Sequence, residues 1–188
     1  MITERNVTKM AQLKELLVDE LQDLLHAEGQ LVAALPKMAQ AVHHPKLKEC
    51  FEKHLEQTRG QVTRLEKAFE LLGEKAQPKP CKAMAGLIAE GQETIEEGSE
   101  KEEIAADLAV VAAAQKIEHY EIAGYGTART LALQVGEREV AKLLSHTLGE
   151  EEAADYLLTD ISKPLLQEAS VQEFTAETKR AKPAKARG

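Results

Sequence analysis

Tryptophan is absent from this chain, aromatic residues make up only 3% of it, and no stretch of Val, Ile, Thr and Tyr alternates with period two. The usual signature of strands is therefore missing. Ala, Leu, Glu, Lys and Gln dominate, all strong helix formers, and an all-α protein is predicted. Cysteine is equally scarce. Cys50 and Cys81 are too few and too isolated for a disulfide framework or a Cys-x-x-Cys site, which agrees with a reducing compartment. There is no charged-then-apolar leader, and no apolar run approaches the roughly 20 residues that a membrane helix needs. A cytoplasmic protein with no membrane partner is expected.

What the chain does have is enough apolar content for a core, 43% over 188 residues, and an uneven distribution of charge. Its net charge is −8, yet the last ten residues hold five Lys or Arg and no acid, so the remaining body carries −13. A body that acidic repels nucleic acid, leaving at most a weak contact through the basic end. The expected organisation is one helical bundle over residues 1–170 and a basic, disordered tail over residues 171–188.

Carboxylates occupy positions that should be apolar. Inward series at alternating four- and three-residue steps read Leu17, Leu21, Leu24, Glu28, Leu31, Leu35, then Ile104, Leu108, Val111, Gln115, Glu118, Ile122, Tyr125, then Leu144, Leu148, Glu151, Asp155, Leu158. None of these stripes contains Lys or Arg. An unpaired buried carboxylate costs several kcal/mol, against a total stability of about 5–15 kcal/mol for a domain, so several together call for a cation. A metal ion is the natural candidate.

Breaker residues set the order of elements. A first helix is expected after Thr8 as N-cap to about Gln40, with Pro36 disturbing its last turns, and a second from Pro45 to Gly73. A long connection follows, carrying a short amphipathic piece around Met84 to Ile95. The third helix is expected from about Glu103 to Leu133, the fourth from Glu137 to about Asp160, and a short C-terminal helix opening at Pro164. Short connections at each end make two antiparallel hairpins, and the long connection between helices 2 and 3 can cross the bundle. That is the ferritin-like four-helix arrangement, which holds metal ions between facing helices.

The segment EHYE places Glu118 and Glu121 three residues apart, able to face the same part of the bundle. In the run Glu150, Glu151, Glu152, the stripe selects Glu151, with Asp155 one turn on. Helix 2 leaves its ligand open. A polar row contains His54, Gln57 and Gln61, and Glu56 lies on the far side from Val62. The candidate metal ligands are thus Glu28, His54, Glu118, Glu121, Glu151 and Asp155, with Glu56 or Gln57 as alternatives to His54.

The stretches LHAEGQL, HLEQTRGQVTRLEKAFE, AAAQKIEHYEIAGYGT and TLGEEEAADYLL, in this order over about residues 10–160, resemble the YciF-type ferritin-like stress proteins. The resemblance implies a ferritin-like bundle, a homodimer, a rubrerythrin-like di-metal centre and a role in general stress response. Glu28 matches the first-helix Glu of the ferritin-like pattern, and Glu118 with Glu121 matches the third-helix pair of acids. Two departures stand out. The second-helix Glu-x-x-His has no counterpart, since Glu56 is followed by Arg59 and His54 by Gln57, and the fourth-helix motif has Asp155 where its His would be.

An oxygen-rich, thiolate-free donor set with one or two imidazoles suits iron or manganese better than zinc or copper. The expected function is that of a stress protein with two iron ions, or manganese in their place, consuming peroxide or O2 in a di-iron oxidase or peroxidase type of activity. The alternative is a non-enzymatic helical scaffold whose acids are relieved by water or a dimer partner. Iron storage, a third reading, needs a cage-forming surface.

Overall fold

The computed structural model describes residues 4–180, with side chains described from Met10 to Val171. Five helices follow one another: α1 Glu4–Ala41, α2 Pro45–Leu72, α3 Lys82–Gly98, α4 Glu103–Gln134 and α5 Arg138–Arg180. Among the described residues there is no strand. The hairpin joints form where the breakers stand. Pro45 opens α2 at its first position, where a missing N–H costs nothing. Gly73 ends α2 at φ 70, with the Glu74 N–H returning to the Phe69 carbonyl at 3.0 Å. Gly136, at φ 86, turns the chain between α4 and α5.

Side-chain reach fixes the directions. Lys14 donates to the Leu72 carbonyl, so the start of α1 lies beside the end of α2. Asp107 accepts from the backbone of His43, and Gly124 approaches Leu24, so α4 runs antiparallel to α1. Gln61 meets Glu151 while Arg64 meets Thr147, so α5 runs antiparallel to α2. The helices α1, α2, α5 and α4 thus form the corners of a square, and the connection that carries α3 crosses from α2 to the diagonally opposite α4.

Several expected boundaries move. Helix α1 begins at Glu4, upstream of Thr8, and runs through Pro36 to Ala41. Helix α5 continues through Pro164 to Arg180, because Ile161 and Leu165, on either side of the proline, both pack into the core. The C-terminal piece is therefore an extension of α5. The rest of the expected tail, residues 181–188, lies outside the described residues. On α4 the buried face is rotated from the expected stripe. Ala106, Val110, Ala114, Ile117, Ala128 and Ala132 face inward, whereas Ile104, Leu108 and Ile122 are only partly covered. Small side chains there let α4 approach its neighbours closely, most of all at Gly124, where an added Cβ would lie 2.8 Å from Leu24 Cδ2.

The core falls into two apolar parts. One contains Leu31, Leu35, Phe51, Val110, Ile117 and Leu158, and the other Leu21, Leu24, Leu65, Phe69, Leu144 and Leu148. Along each of the four long helices, the residues that separate the two parts are polar.

Candidate metal centre

Glu28 of α1, His54 and Gln61 of α2, Glu118 and Glu121 of α4, and Glu151 of α5 meet in this polar layer, each 0–3% exposed. Ligand-capable atoms of His54, Glu118, Glu121 and Glu151 all lie within 4.8 Å of one another, so this group can hold a metal ion. His54 Nε2 is 3.5 Å from Glu118 Oε1 and 3.7 Å from Glu151 Oε2. Burial pushes the His54 imidazole below its usual range, which favours the neutral form a metal requires.

Glu28 stands beside this group. One of its oxygens accepts from the Tyr125 hydroxyl, while Oε2 has no hydrogen-bond partner. Burial and then the charge of Glu151 push its carboxyl well above the usual range. The same holds for Glu118, through burial and Glu151, and for Glu121, through burial and Glu28. Glu151 is pushed to about 7, chiefly by burial. Burial raises all four carboxyls, and the charges of their neighbours in the layer raise Glu28, Glu118 and Glu121 further.

Compensation from the protein is partial. Gln61 Nε2 donates to Glu151 Oε1 and, at 3.1 Å, to Glu150 Oε2. Arg64 approaches the layer but is spent on Glu150, gripping both its oxygens at 2.8 and 2.7 Å. Among the described residues no Lys or Arg forms an ion pair with Glu28, Glu118, Glu121 or Glu151. Both nitrogens of His54, both oxygens of Glu121 and one oxygen each of Glu28, Glu118 and Glu151 have no hydrogen-bond partner in the protein. Buried donors and acceptors without partners are costly, and a divalent cation would satisfy this donor set.

The other candidates lie elsewhere. Asp155 accepts from Gln115 at 2.9 Å and sits 3.4 Å from the exposed His119, outside the four-residue group. Glu56 is exposed and paired with Arg59, and Gln57 is partly buried near His54. Of the three options on helix 2, the fold brings His54 into the layer. Sequence reasoning passed over the buttress Arg64–Glu150, whose partners lie 86 residues apart, and the Tyr125–Glu28 contact. It also passed over Asp107, which is 2% exposed and ties α4 to the turn between α1 and α2 by accepting the N–H groups of His43 and His44 at 2.8 and 2.7 Å.

An antiparallel bundle with one long crossover and an acid-imidazole layer between its helices defines a ferritin-like protein. Residues 12–171 match the family described as a domain of unknown function (DUF892), and the chain belongs to that family. It is 47% identical over 154 residues to protein YciF of Escherichia coli strain K12, covering 81% of this chain and 92% of that protein. The crystal structure of the E. coli stress protein YciF matches with a TM-score of 0.79 and 44% identity, over 82% of this chain and 97% of that one. YcfI from Rhodopseudomonas palustris, described as a putative structural protein, matches with a TM-score of 0.74 and 38% identity over 78% and 92% of the two chains. A dodecameric thioferritin from Bacteroides fragilis, at 15% identity and a TM-score of 0.59 over 92% and 98%, shares the fold. Among the described residues no helix is long and apolar enough to cross a membrane.

Proposed function

We infer that the polar layer binds two redox-active metal ions, iron or alternatively manganese, and that the protein consumes peroxide or O2 under stress in the cytoplasm, as a homodimer. The observation that carries this reading is the set of unpartnered ligand atoms on His54, Glu118, Glu121 and Glu151, buried within 4.8 Å of one another, with Glu28 beside them. His54, Glu118, Glu121 and Glu151, with Glu28 beside them, would hold the ions. Iron supplies one-electron redox steps toward small oxidants, which these carboxylates do not. The chain's own contribution is to exclude water, through leucines on both sides, and to hold the acids in place through Tyr125 and Gln61. The similarity to a stress protein supports the biological setting.

Anaerobic loading with Fe(II), followed by elemental analysis and optical spectra on admitting oxygen, tests the reading. About two irons per chain and an oxygen-dependent spectral change are expected. The Glu118→Gln, Glu121→Gln double variant should take up none, and full uptake by it would sink the ligand assignment. A wild-type protein that stays metal-free after loading would instead favour a scaffold whose acids remain protonated, as their raised carboxyl values allow.

A further inference from the structure

We propose that Tyr120, held between Asp23 and Cys81, is a one-electron port linking a depression on the protein surface to the buried acid layer. The proposal rests on the reading of that layer as a redox metal site. The Tyr120 hydroxyl donates to Asp23 Oδ2 and lies 2.9 Å from Cys81 Sγ. Tyr120 and Asp23 line a depression of about 240 Å³ between α1 and α4, together with Glu20 and Thr127. Inward, Tyr120 adjoins Glu121 on α4, so a residue that edges the depression is joined by one peptide link to an acid buried in the layer. The covalent backbone of α4 therefore connects the surface depression to the layer.

Such a port answers a difficulty set by burial. With its ligands 0–3% exposed, the layer gives an external electron donor nothing to touch. The other tyrosines serve less well. Tyr125 contacts Glu28 but is 0% exposed, and Tyr156 is 67% exposed with the Lys163 ammonium 5.9 Å from its ring centre, which opposes loss of an electron. Tyr120 alone among them has both a carboxylate to take its proton and an edge on a surface depression. Cys81 positions it. The thiol is fixed at the start of α3 by accepting the Met84 N–H, and the Cys81 N–H donates to His26 Nδ1 at 3.1 Å.

Peroxide takes two electrons, and two protons from solvent, to become two waters; where the layer supplies one electron, the Tyr120 ring would supply the other, its phenolic proton moving along the hydrogen bond to the Asp23 carboxylate. The products are a neutral tyrosyl radical and a protonated Asp23. A one-electron donor at the depression then reduces the radical, and the proton returns to the phenol oxygen.

Iron-loaded protein mixed with hydrogen peroxide and frozen at short times, read by electron paramagnetic resonance, tests the port, with iron content measured on the same samples. A tyrosyl signal that narrows with ring-deuterated tyrosine is expected. It should vanish in Tyr120→Phe, weaken in Asp23→Asn and persist in Tyr156→Phe, with iron content unchanged in all three. A signal that survives Tyr120→Phe, or an iron-loaded wild type without one, overturns the port while leaving the metal site standing. A wild type that takes up no iron overturns the metal reading and the port with it.

Discussion

Replacing Glu151 by Gln should stabilise the metal-free protein above neutral pH and do little at pH 5. Glu151 is fully buried, and burial raises its carboxyl from 4.5 to about 7. A carboxyl raised on folding binds a proton more tightly in the native state. Its stabilising contribution is therefore complete below the unfolded value and is lost as pH rises through about 7. The shift corresponds to about 3 kcal/mol at pH 8 and less than about 1 kcal/mol at pH 5. The amide of the Glu151→Gln variant carries no charge to desolvate, and its carbonyl can accept the bond that Gln61 now gives to Glu151 Oε1. For a chain of this size, 1 kcal/mol corresponds to roughly 2–4 °C, so the variant should melt on the order of 6–12 °C higher than wild type at pH 8. Thermal unfolding by circular dichroism in chelator, at pH 5, 6, 7 and 8, reads this directly. The gain must grow with pH. A variant destabilised equally at pH 5 and pH 8 would mean that the carboxylate is compensated in the fold, and the reasoning would fail.

Two further substitutions probe the frame. Gly124→Val should cost about 1–3 kcal/mol in urea unfolding, because its first side-chain carbon would press on Leu24, itself 1% exposed. Asp107→Ala should cost about 1–3 kcal/mol by the same assay, since it strips the acceptor from the His43 and His44 N–H groups. Asp107→Asn keeps one acceptor and should lose less.

The sequence was most legible where local chemistry dictates structure. Pro45, Gly73 and Gly136 stand at the joints because a first-turn proline and left-handed glycines have few other uses there. Pro164 misled, because tertiary packing of Ile161 and Leu165 outweighs the hydrogen bond that a mid-helix proline forfeits. The buried face of α4 was misjudged for a related reason. Periodicity weighs a large residue more than a small one, whereas a helix wedged between α1, α3 and α5 turns its alanines inward. Val111, Glu118 and Tyr125 lie on the expected stripe and are buried, and the buried face widens beyond it through Val110, Ala114 and Ile117 to take in Glu121.

For the polar layer, periodicity located the acids, but the groups that answer their charges come from other helices and leave no local pattern. Tyr125 lies 97 residues from Glu28, and Gln61 lies 90 residues from Glu151. These contacts rank the acids by need. Glu151 has the Gln61 amide, Glu28 has the Tyr125 hydroxyl, and Glu118 has the His54 imidazole 3.5 Å away. Glu121, fully buried, has no hydrogen bond to either oxygen, and burial, Glu28 and Glu151 all oppose its ionisation. A cation in the layer would therefore change the ionisation of Glu121 more than that of its neighbours, which makes it the acid whose removal should relieve the metal-free fold and cost metal affinity together.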